Sequence, residues 1–391
     1  MKILSLNYEY PPLGGGAGAL SEDLNRQLAA AGHRVCVVTM YYPGLPKHEV
    51  KDSVEIFRIP CIRRNKSSCS MGEALTYLFA LRRFMETRAE LRNFDVCHAH
   101  FVVPTGLGAL GIRRRWGIPY IITAHGSDVE GHNDQPMIRL MHRMIRGLWR
   151  KIADRAFCVV SPSTVLEILM SKHYLPKRHC IIPNGIDLSC YSGGQTEKKP
   201  VILLIGRMQE SKNFQTVLKA LSLVGTDSLN GWRVEIVGEG PVKDQLETLA
   251  ERLGLSGTVT FRGWVDHGSG LHSELLRESA VFVSASRFEN CPIAVLEAAA
   301  SGCSLILSDI PGHTSLIGDQ ARYFPADDAR ALAEILSAEL EKKRIPKRYD
   351  LRRFSWETVE PRYEKLLRAC AASSGRYGSK ADGRNLRNVV K

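Results

Sequence analysis

Two α/β domains, each a parallel sheet wound on both faces by helices and facing the other across a cleft, are what this sequence predicts. Three observations predict them. At 391 residues the chain is longer than one hydrophobic core supports, and 44% hydrophobic residues supply material for two. From Lys2 to Met40 it reads strand, glycine-rich turn, helix, strand, the order that gives parallel strands and a right-handed crossover. The same order restarts near Pro200.

The first strand is "KILSL" from Lys2, and the turn is "NYEYPPLGGGAG". "ALSEDLNRQLAAAGH" follows as a helix, with Leu20, Leu24, Leu28 and Ala31 at helical spacing and Gly32 as its stop. "RVCVVTM" is apolar without alternation, as a strand buried on both faces requires. In the second half "PVILLIG" is a strand, "RMQESKN" a loop, "FQTVLKALSLV" a helix and "WRVEIVGEG" a strand and turn. "TVTFRGWV", "AVFVSAS", "CSLILSD" and "ARYFPA" continue the sheet. "LSCYSGGQTEKK" between the halves reads as a linker. "FSWETVEPRYEKLLRAC" carries Trp356, Val359, Tyr363, Leu366 and Leu367 on one helical face. The expected domains are therefore residues 1–190 and 198–355, then a helix over 356–372 crossing back to the first domain, and a disordered basic tail over 373–391.

No apolar run is long enough to cross a bilayer, and the one at the N-terminus is too short for a signal-peptide core, so the expectation is a cytoplasmic protein. The ten cysteines form no C-x-x-C pair, which suggests free thiols and neither a zinc site nor a disulfide framework. Residues 1–200 carry 27 Lys/Arg against 17 Asp/Glu, whereas residues 201–355 carry 18 against 20. The basic half attracts an anionic partner. Among nucleic acid, anionic lipid and an acidic substrate, nucleic acid ranks last and is not expected as a partner, because neither an RNA-binding aromatic signature nor zinc-finger spacing is present.

"GGGAGA", Gly14 to Ala19, fits the dinucleotide pattern G-x-G-x-x-A, but its context does not. "NYEYPP" separates it from the strand, and the second strand ends in "TMYY" without the acid that would hold a ribose. It reads equally as a plain turn or as an anion cradle at a helix N-terminus. In "IGRMQESKN", Arg207 follows a strand end and Lys212 lies five residues on; such cations suit two adjacent phosphates or are simply solvated. "RFENCPIAVLEAAASG" puts Glu289 in a loop and Glu297 in the second turn of a helix whose first residue should be Pro292 and whose end should be Gly302. Two carboxylates beside a helix N-terminus suit a ligand with hydroxyls and a phosphate.

Taken in order, "PPLGGGAG", "GHRVCVVT", "FDVCHAHF", "TAHGSD", "VVSPS", "IPNGID", "IGRMQESKN", "IVGEGP", "FRGWV", the Glu-x7-Glu segment and "FSWETVEPRYEKL" resemble the retaining, nucleotide-sugar-dependent glycosyltransferases of family 4, with the two-Rossmann B-type fold. The likeness runs from Met1 to about Cys370. It implies that Glu289 binds hydroxyls of the donor sugar and that Glu297 binds the nucleotide ribose. The N–H groups around Asn290, Cys291 and Ile293 would hold sugar and phosphate, with Pro292 lying among these donor-binding residues. Arg207 and Lys212 would neutralise the departing diphosphate, Gly15 and Gly16 would admit it to the backbone, and His125 would lie near the reacting sugar. Main-chain groups around Arg262 and Gly263 would meet the base. The partners implied are a nucleoside-diphosphate sugar and a glycan or lipid-linked acceptor, with no metal and no cofactor. "ENCPIAV" departs from the "E-G-F-G-L" of many relatives, which leaves the sugar open.

His98 and His100 in "HAH" share one strand face but lack a third ligand with metal spacing. In "PMIRLMHRMIRGLWRKIADRA", Arg139, Arg143, Arg146 and Arg150 form one helical stripe, and Ile138, Met141, Ile145, Leu148 and Ile152 another. Such a helix either packs on its own domain with its arginines in water or lies on an anionic membrane or acceptor. The reading is a hexosyltransferase. Its rivals are a sugar-nucleotide epimerase on the same fold and a non-catalytic glycan-binding protein. A glycosidase fits less well, because its paired acids flank the scissile bond.

Overall fold

The computed structural model describes residues 1–66, 68–132, 136–191 and 197–373. The chain forms two compact units: Met1–Gly185 with the segment from Trp356, and Ile186–Ser355.

In the first unit an eight-stranded sheet has the order β3-β4-β2-β1-β5-β6-β7-β8. The strands are β1 (Lys2–Leu6), β2 (Arg34–Met40), β3 (His48–Lys51), β4 (Val54–Ile59), β5 (Val96–His100), β6 (Tyr120–Thr123), β7 (Val159–Ser161) and β8 (His179–Ile181). All neighbours are parallel except β3, which pairs antiparallel with β4 and caps one edge. The order reverses at β1, which lies between β2 and β5. In sheets of this kind the loops on either side of such a switch point run to opposite faces, and ligands bind in the crevice this leaves at the carboxyl ends of the strands.

The helix after β1 spans Gly16–Ala30, three residues earlier than its apolar spacing suggests. Gly18 explains the early start. A Cβ there would stand 2.3 Å from the carbonyl oxygen of Glu9 and 3.0 Å from that of Leu13, so only glycine lets the first turn press on the preceding loop. The last helix, Trp356–Ala372, belongs to this unit and buries Trp356, Val359, Tyr363, Leu366, Leu367 and Cys370. The tail expected over 373–391 lies, from residue 374, outside the described residues, as do residues 192–196 of the linker.

In the second unit six parallel strands have the order β11-β10-β9-β12-β13-β14. They are β9 (Lys199–Ile205), β10 (Arg233–Val237), β11 (Val259–Gly263), β12 (Ser279–Ser284), β13 (Ser304–Ser308) and β14 (Arg322–Phe324). Successive residues serve opposite cores. Ile202, Leu204, Val281 and Val283 pack with the helix Phe214–Val224, while Leu203 and Phe282 pack with the helix Ile293–Ala300. Burial on both faces is why these strands read as unbroken apolar runs. Here the switch point lies between β9 and β12.

Candidate active site

Some of the residues singled out in the sequence lie in loops at the two switch points. In the second unit the loop after β9 carries Arg207 and Lys212, and the loop after β12 carries Glu289. Lys212 lays its stem over Gly206, where a Cβ would sit 3.7 Å from its methylenes, and its ammonium pairs with Oε1 of Glu289. The Ser286 hydroxyl donates to the same oxygen at 2.8 Å. Burial alone would raise the Glu289 carboxyl, but the Lys212 charge, with His313 and Ser286, holds it below its ordinary value. Arg207 behaves differently: it is exposed and forms no hydrogen bond or ion pair among the described residues.

The helix Ile293–Ala300 positions both acids. Pro292 is its N-cap, with ψ at 116°, and not its first helical residue. That shifts the helix mouth one position toward Ile293 and leaves it without a side-chain cap or an acid in its first turn. Gly302 ends the helix with φ at +76°, its N–H donating to Ala299 and that of Cys303 to Ala298, the paired bonds of a left-handed C-terminal stop. Asn290 is buried too, and Cys291 points into the unit's core, so any ligand contact of Cys291 runs through its backbone.

Glu297 is 2% exposed on this helix. Its Oε1 accepts the Tyr191 hydroxyl at 2.8 Å and lies 2.6 Å from Nε2 of His267, while His272 approaches Oε2 at 3.6 Å. Burial opposes its ionisation, and the two histidines and the tyrosine outweigh burial and lower its pKa. Sequence reasoning missed all three partners. Tyr191 lay in a segment read only as linker, and His267 and His272 sit beyond "FRGWV" with no spacing to flag them.

Arg262 is spent internally, donating twice to Glu235 at 2.6 and 2.9 Å. The Gly263 carbonyl accepts the Gly238 N–H at 2.8 Å.

In the first unit Gly15 caps the helix Gly16–Ala30, and Gly15 and Gly16 are exposed at its N-terminus. No side chain caps this helix, and no acid lies in its first turn. His125 follows β6, with Nε2 3.1 Å from Nδ1 of His100. Asp128, the acid of "TAHGSD", accepts backbone N–H groups from Val102 at 2.7 Å and from His125 and Gly126 at 3.1 Å, tying the loop after β6 to that after β5. His98 meets Thr123 at 2.8 Å. Among the described residues no group of three His, Cys, Asp or Glu is arranged to hold a metal.

The arginine stripe of Pro136–Arg155 divides. Arg146 is bidentate on Glu130, and Arg150 donates to the His173 carbonyl at 3.1 Å. Arg139 and Arg143 are exposed and make no bond among the described residues. The expected apolar stripe is only partly inside: Ile152 is buried, but Leu148 is 36% exposed and continues a second stripe of Met137, Leu140 and Met144, which is exposed too. No described helix is long and apolar enough to cross a membrane.

Residues 14–189 match the model for Glycosyltransferase Family 4, and residues 192–354 that for Glycosyl transferases group 1. The chain belongs to the glycosyltransferases of the two-domain B-type fold. An uncharacterized glycosyltransferase of Methanocaldococcus jannaschii is 26% identical to this glycosyltransferase over 81% of the chain and 83% of its own length. An Escherichia coli UDP-Gal:alpha-D-GlcNAc-diphosphoundecaprenol alpha-1,3-galactosyltransferase is 26% identical over 69% and 70%. The fold is shared with the Anabaena protein HepE, solved with UDP and glucose, at a TM-score of 0.74, 16% identity, and 94% and 100% coverage.

Proposed function

We propose that this glycosyltransferase moves a hexosyl group, with retention of anomeric configuration, from a UDP- or GDP-sugar to a glycan or lipid-linked acceptor of the cell envelope. One observation carries the reading: Glu289 and Glu297, at the mouth and on the second turn of one uncapped helix, are carboxylates largely or fully withdrawn from water and held ionised, the first by Lys212. Ionised carboxylates only accept hydrogen bonds, which suits them to hydroxyls. An uncapped helix N-terminus favours an anion. A ligand with hydroxyls flanking a phosphate satisfies both.

In this reading Glu289 takes sugar hydroxyls in place of part of its contact with Lys212, and Glu297 takes the ribose in place of His267. The N–H groups near Asn290, Cys291 and Ile293 hold sugar and phosphate. Lys212 and the unspent Arg207 neutralise the diphosphate as the glycosidic bond breaks, which stabilises charge where it develops and makes a metal unnecessary. Gly15 and Gly16 admit the diphosphate to the first helix; a Cβ at Gly15 would meet nothing within 4 Å, so packing within the chain does not require glycine there. His125 contacts the reacting sugar. Arg262 and Gly263 offer the base their main chain only. The acceptor hydroxyl attacks the face from which the diphosphate leaves. HepE with UDP and glucose supports a uridine donor, and the name of the Escherichia coli relative supports a lipid-linked acceptor.

We also infer that the helix Pro136–Arg155 rests on an anionic membrane surface, as peripheral attachment at the inner face of the plasma membrane requires. Its exposed Met137, Leu140, Met144 and Leu148 stand beside Arg139 and Arg143, which have no partner among the described residues, a combination that matches an acyl–headgroup boundary.

A panel of nucleotide sugars screened by thermal stabilisation tests the donor, since a ligand bound only by the folded form raises Tm. The stabilising donor is then incubated with membrane extract, and the product anomer is read by NMR, with and without a chelator. An altered sugar nucleotide formed without acceptor would establish an epimerase instead. No stabilisation by any nucleotide sugar would overturn the reading.

A further inference from the structure

Glu289 rests on the neighbouring strand of its own sheet. β13 ends at Ser308, and the chain continues into the short helix Pro311–Ile317, which carries Gly312 and His313. A Cβ at Gly312 would stand 2.1 Å from the carbonyl oxygen of Glu289 and 2.9 Å from its Cβ, so the two backbones touch and only glycine fits. The Ser308 hydroxyl donates to the Ser286 carbonyl at 2.6 Å. His313 has no solvent exposure. Its Nδ1 lies 2.9 Å from the Ser308 carbonyl and 3.1 Å from the Ser308 hydroxyl, and its Nε2 lies 3.3 Å from the Ser284 hydroxyl. One imidazole thus bridges the ends of β12 and β13.

These contacts give every proton one place. A carbonyl oxygen only accepts, so Nδ1 of His313 carries the ring proton. Burial keeps the ring neutral at physiological pH, so Nε2 accepts from Ser284. Ser308 spends its proton on the Ser286 carbonyl. Glu289 is ionised, so the Ser286 hydroxyl donates to its Oε1, at 2.8 Å. Oε1 then holds two donors, Ser286 and Lys212, which fill its two lone pairs, while Oε2 forms no hydrogen bond among the described residues. The two anchors differ. Lys212 is 24% exposed and, in the proposed reading, is drawn to the diphosphate. Ser286 is 1% exposed and is fastened at both its hydroxyl and its carbonyl. The last torsion of a glutamate is soft. Once Lys212 turns to the diphosphate, Ser286 alone keeps the carboxylate from rotating.

We propose that Ser286, braced by Ser308 and His313, is a positioning residue: it fixes the rotation of the Glu289 carboxylate and leaves Oε2 to accept from a hydroxyl of the donor sugar. This rests on the reading of Glu289 as a contact to that sugar. The consequence is selective. A site built to meet a hydroxyl discriminates against a sugar that lacks it, because the polar group of the site is then left unpaired. The sugar position facing Oε2 must therefore carry a free hydroxyl. The nucleotide is held elsewhere, at Glu297, so its own affinity does not depend on Ser286.

Calorimetric titration of the full chain with UDP against UDP-glucose, and GDP against GDP-mannose, tests this. For the pair that binds, Ser286→Ala should weaken the nucleotide sugar roughly five- to tenfold and leave the bare nucleotide unchanged. On a Glu289→Ala background the same substitution should cost nothing further, because the group it positions is gone. His313→Leu should reproduce the loss, and His313→Asn, whose side-chain N–H overlies Nδ1, should recover most of it. Equal weakening of nucleotide and nucleotide sugar by Ser286→Ala would mean a merely structural role and overturn the proposal. Undiminished affinity for the nucleotide sugar, or a further loss on the Glu289→Ala background, would overturn it too. Should His313→Leu fail to fold, Ser286→Ala decides. If neither nucleotide nor nucleotide sugar binds the wild-type chain, the donor reading is what fails. The anchor is then read from the ¹³C titration of the Glu289 carboxyl, assigned with Glu289→Gln: a higher pKa in Ser286→Ala sustains it, and an unmoved one overturns it.

Discussion

Lys212 and Glu289 are paired across 77 residues of sequence, joining the loop after β9 to the loop after β12. The Glu289 side chain is 13% exposed and that of Lys212 24%, so the pair is largely withdrawn from water yet open on one side. In the proposed reading, truncating Lys212 removes a cation from the leaving group and strands a largely buried carboxylate. Lys212→Ala should lower kcat on the order of a hundredfold or more and lower Tm measurably. Glu289→Gln, which keeps the shape and loses the charge, should lower turnover while costing less stability than Lys212→Ala. Full turnover in Lys212→Ala would remove this residue from the mechanism.

The two arginines near the site should separate function from stability. Arg207 is exposed and has no partner among the described residues, so Arg207→Ala should reduce turnover at unchanged Tm. Arg262 is bidentate on Glu235, which is 3% exposed. Arg262→Ala should thus cost about 1–3 kcal/mol of stability by orphaning that carboxylate, with turnover per folded molecule nearly kept. Urea unfolding beside steady-state kinetics distinguishes the two, and a reversed pattern would mean the assignments are exchanged.

Glu297 is surrounded by groups that a ribose would have to join or replace. Tyr191→Phe removes a 2.8 Å bond and loosens the carboxylate, so UDP or GDP should bind several-fold more weakly, a shift on the order of 1 kcal/mol. Because the proposed reading has the ribose displace the imidazole from Glu297, His267→Ala should tighten the nucleotide affinity or leave it unchanged, and weaker binding would mean that the imidazole stays. Glu297→Ala should weaken binding more than either variant. Calorimetric titration of the nucleotide reads all three, and undiminished affinity in Glu297→Ala would sever this residue from the ribose.

Acid should weaken the first unit early. His98 is pushed down to about 3 by burial, and the positive charge that His125 would carry adds to that; burial likewise drives His100 far down. Unfolded histidines bind a proton near pH 6.5, and these folded ones refuse it. Stability is therefore complete above about pH 6.5 and falls as pH drops toward 3, by up to about 1.4 kcal/mol per pH unit for each histidine. Denaturant unfolding at stepped pH should show this slope, and His98→Gln should flatten it. A flat profile down to about pH 4 would contradict the buried neutral row.

The exposed stripe of the helix Pro136–Arg155 should bind vesicles containing an anionic lipid more tightly than neutral ones. Met144→Glu should reduce sedimentation with either vesicle, whereas Arg139→Ala with Arg143→Ala should abolish only the preference for anionic lipid. Equal sedimentation of all variants would remove the membrane from the reading.

The strands of the second unit were legible because most of their buried residues, on both faces, are apolar, so "PVILLIG" and "CSLILSD" announce themselves without long-range information. The two acids were legible because Glu-x7-Glu spans a loop, a proline and a helix within one continuous segment. The first helix was placed too late because its start depends on Gly18 lying against Glu9, a backbone contact that no apolar spacing records. Pro292 was placed one position too far into the helix because a proline's fixed φ serves the N-cap as well as the first turn.

Local chemistry by itself determined the wound α/β class, the positions of most strands and the residue types able to grip hydroxyls and phosphate. These follow from hydrophobic period and from which side chains accept or donate. Only tertiary structure decided which charges are spent and which are free: Arg262 on Glu235, Arg146 on Glu130, Lys212 on Glu289, and Arg207 on nothing within the described chain. It alone brought Tyr191 and His267 to Glu297 and set His98, His100 and His125 side by side. Such pairings join residues tens of positions apart, and their strength depends on burial, which a linear sequence does not contain.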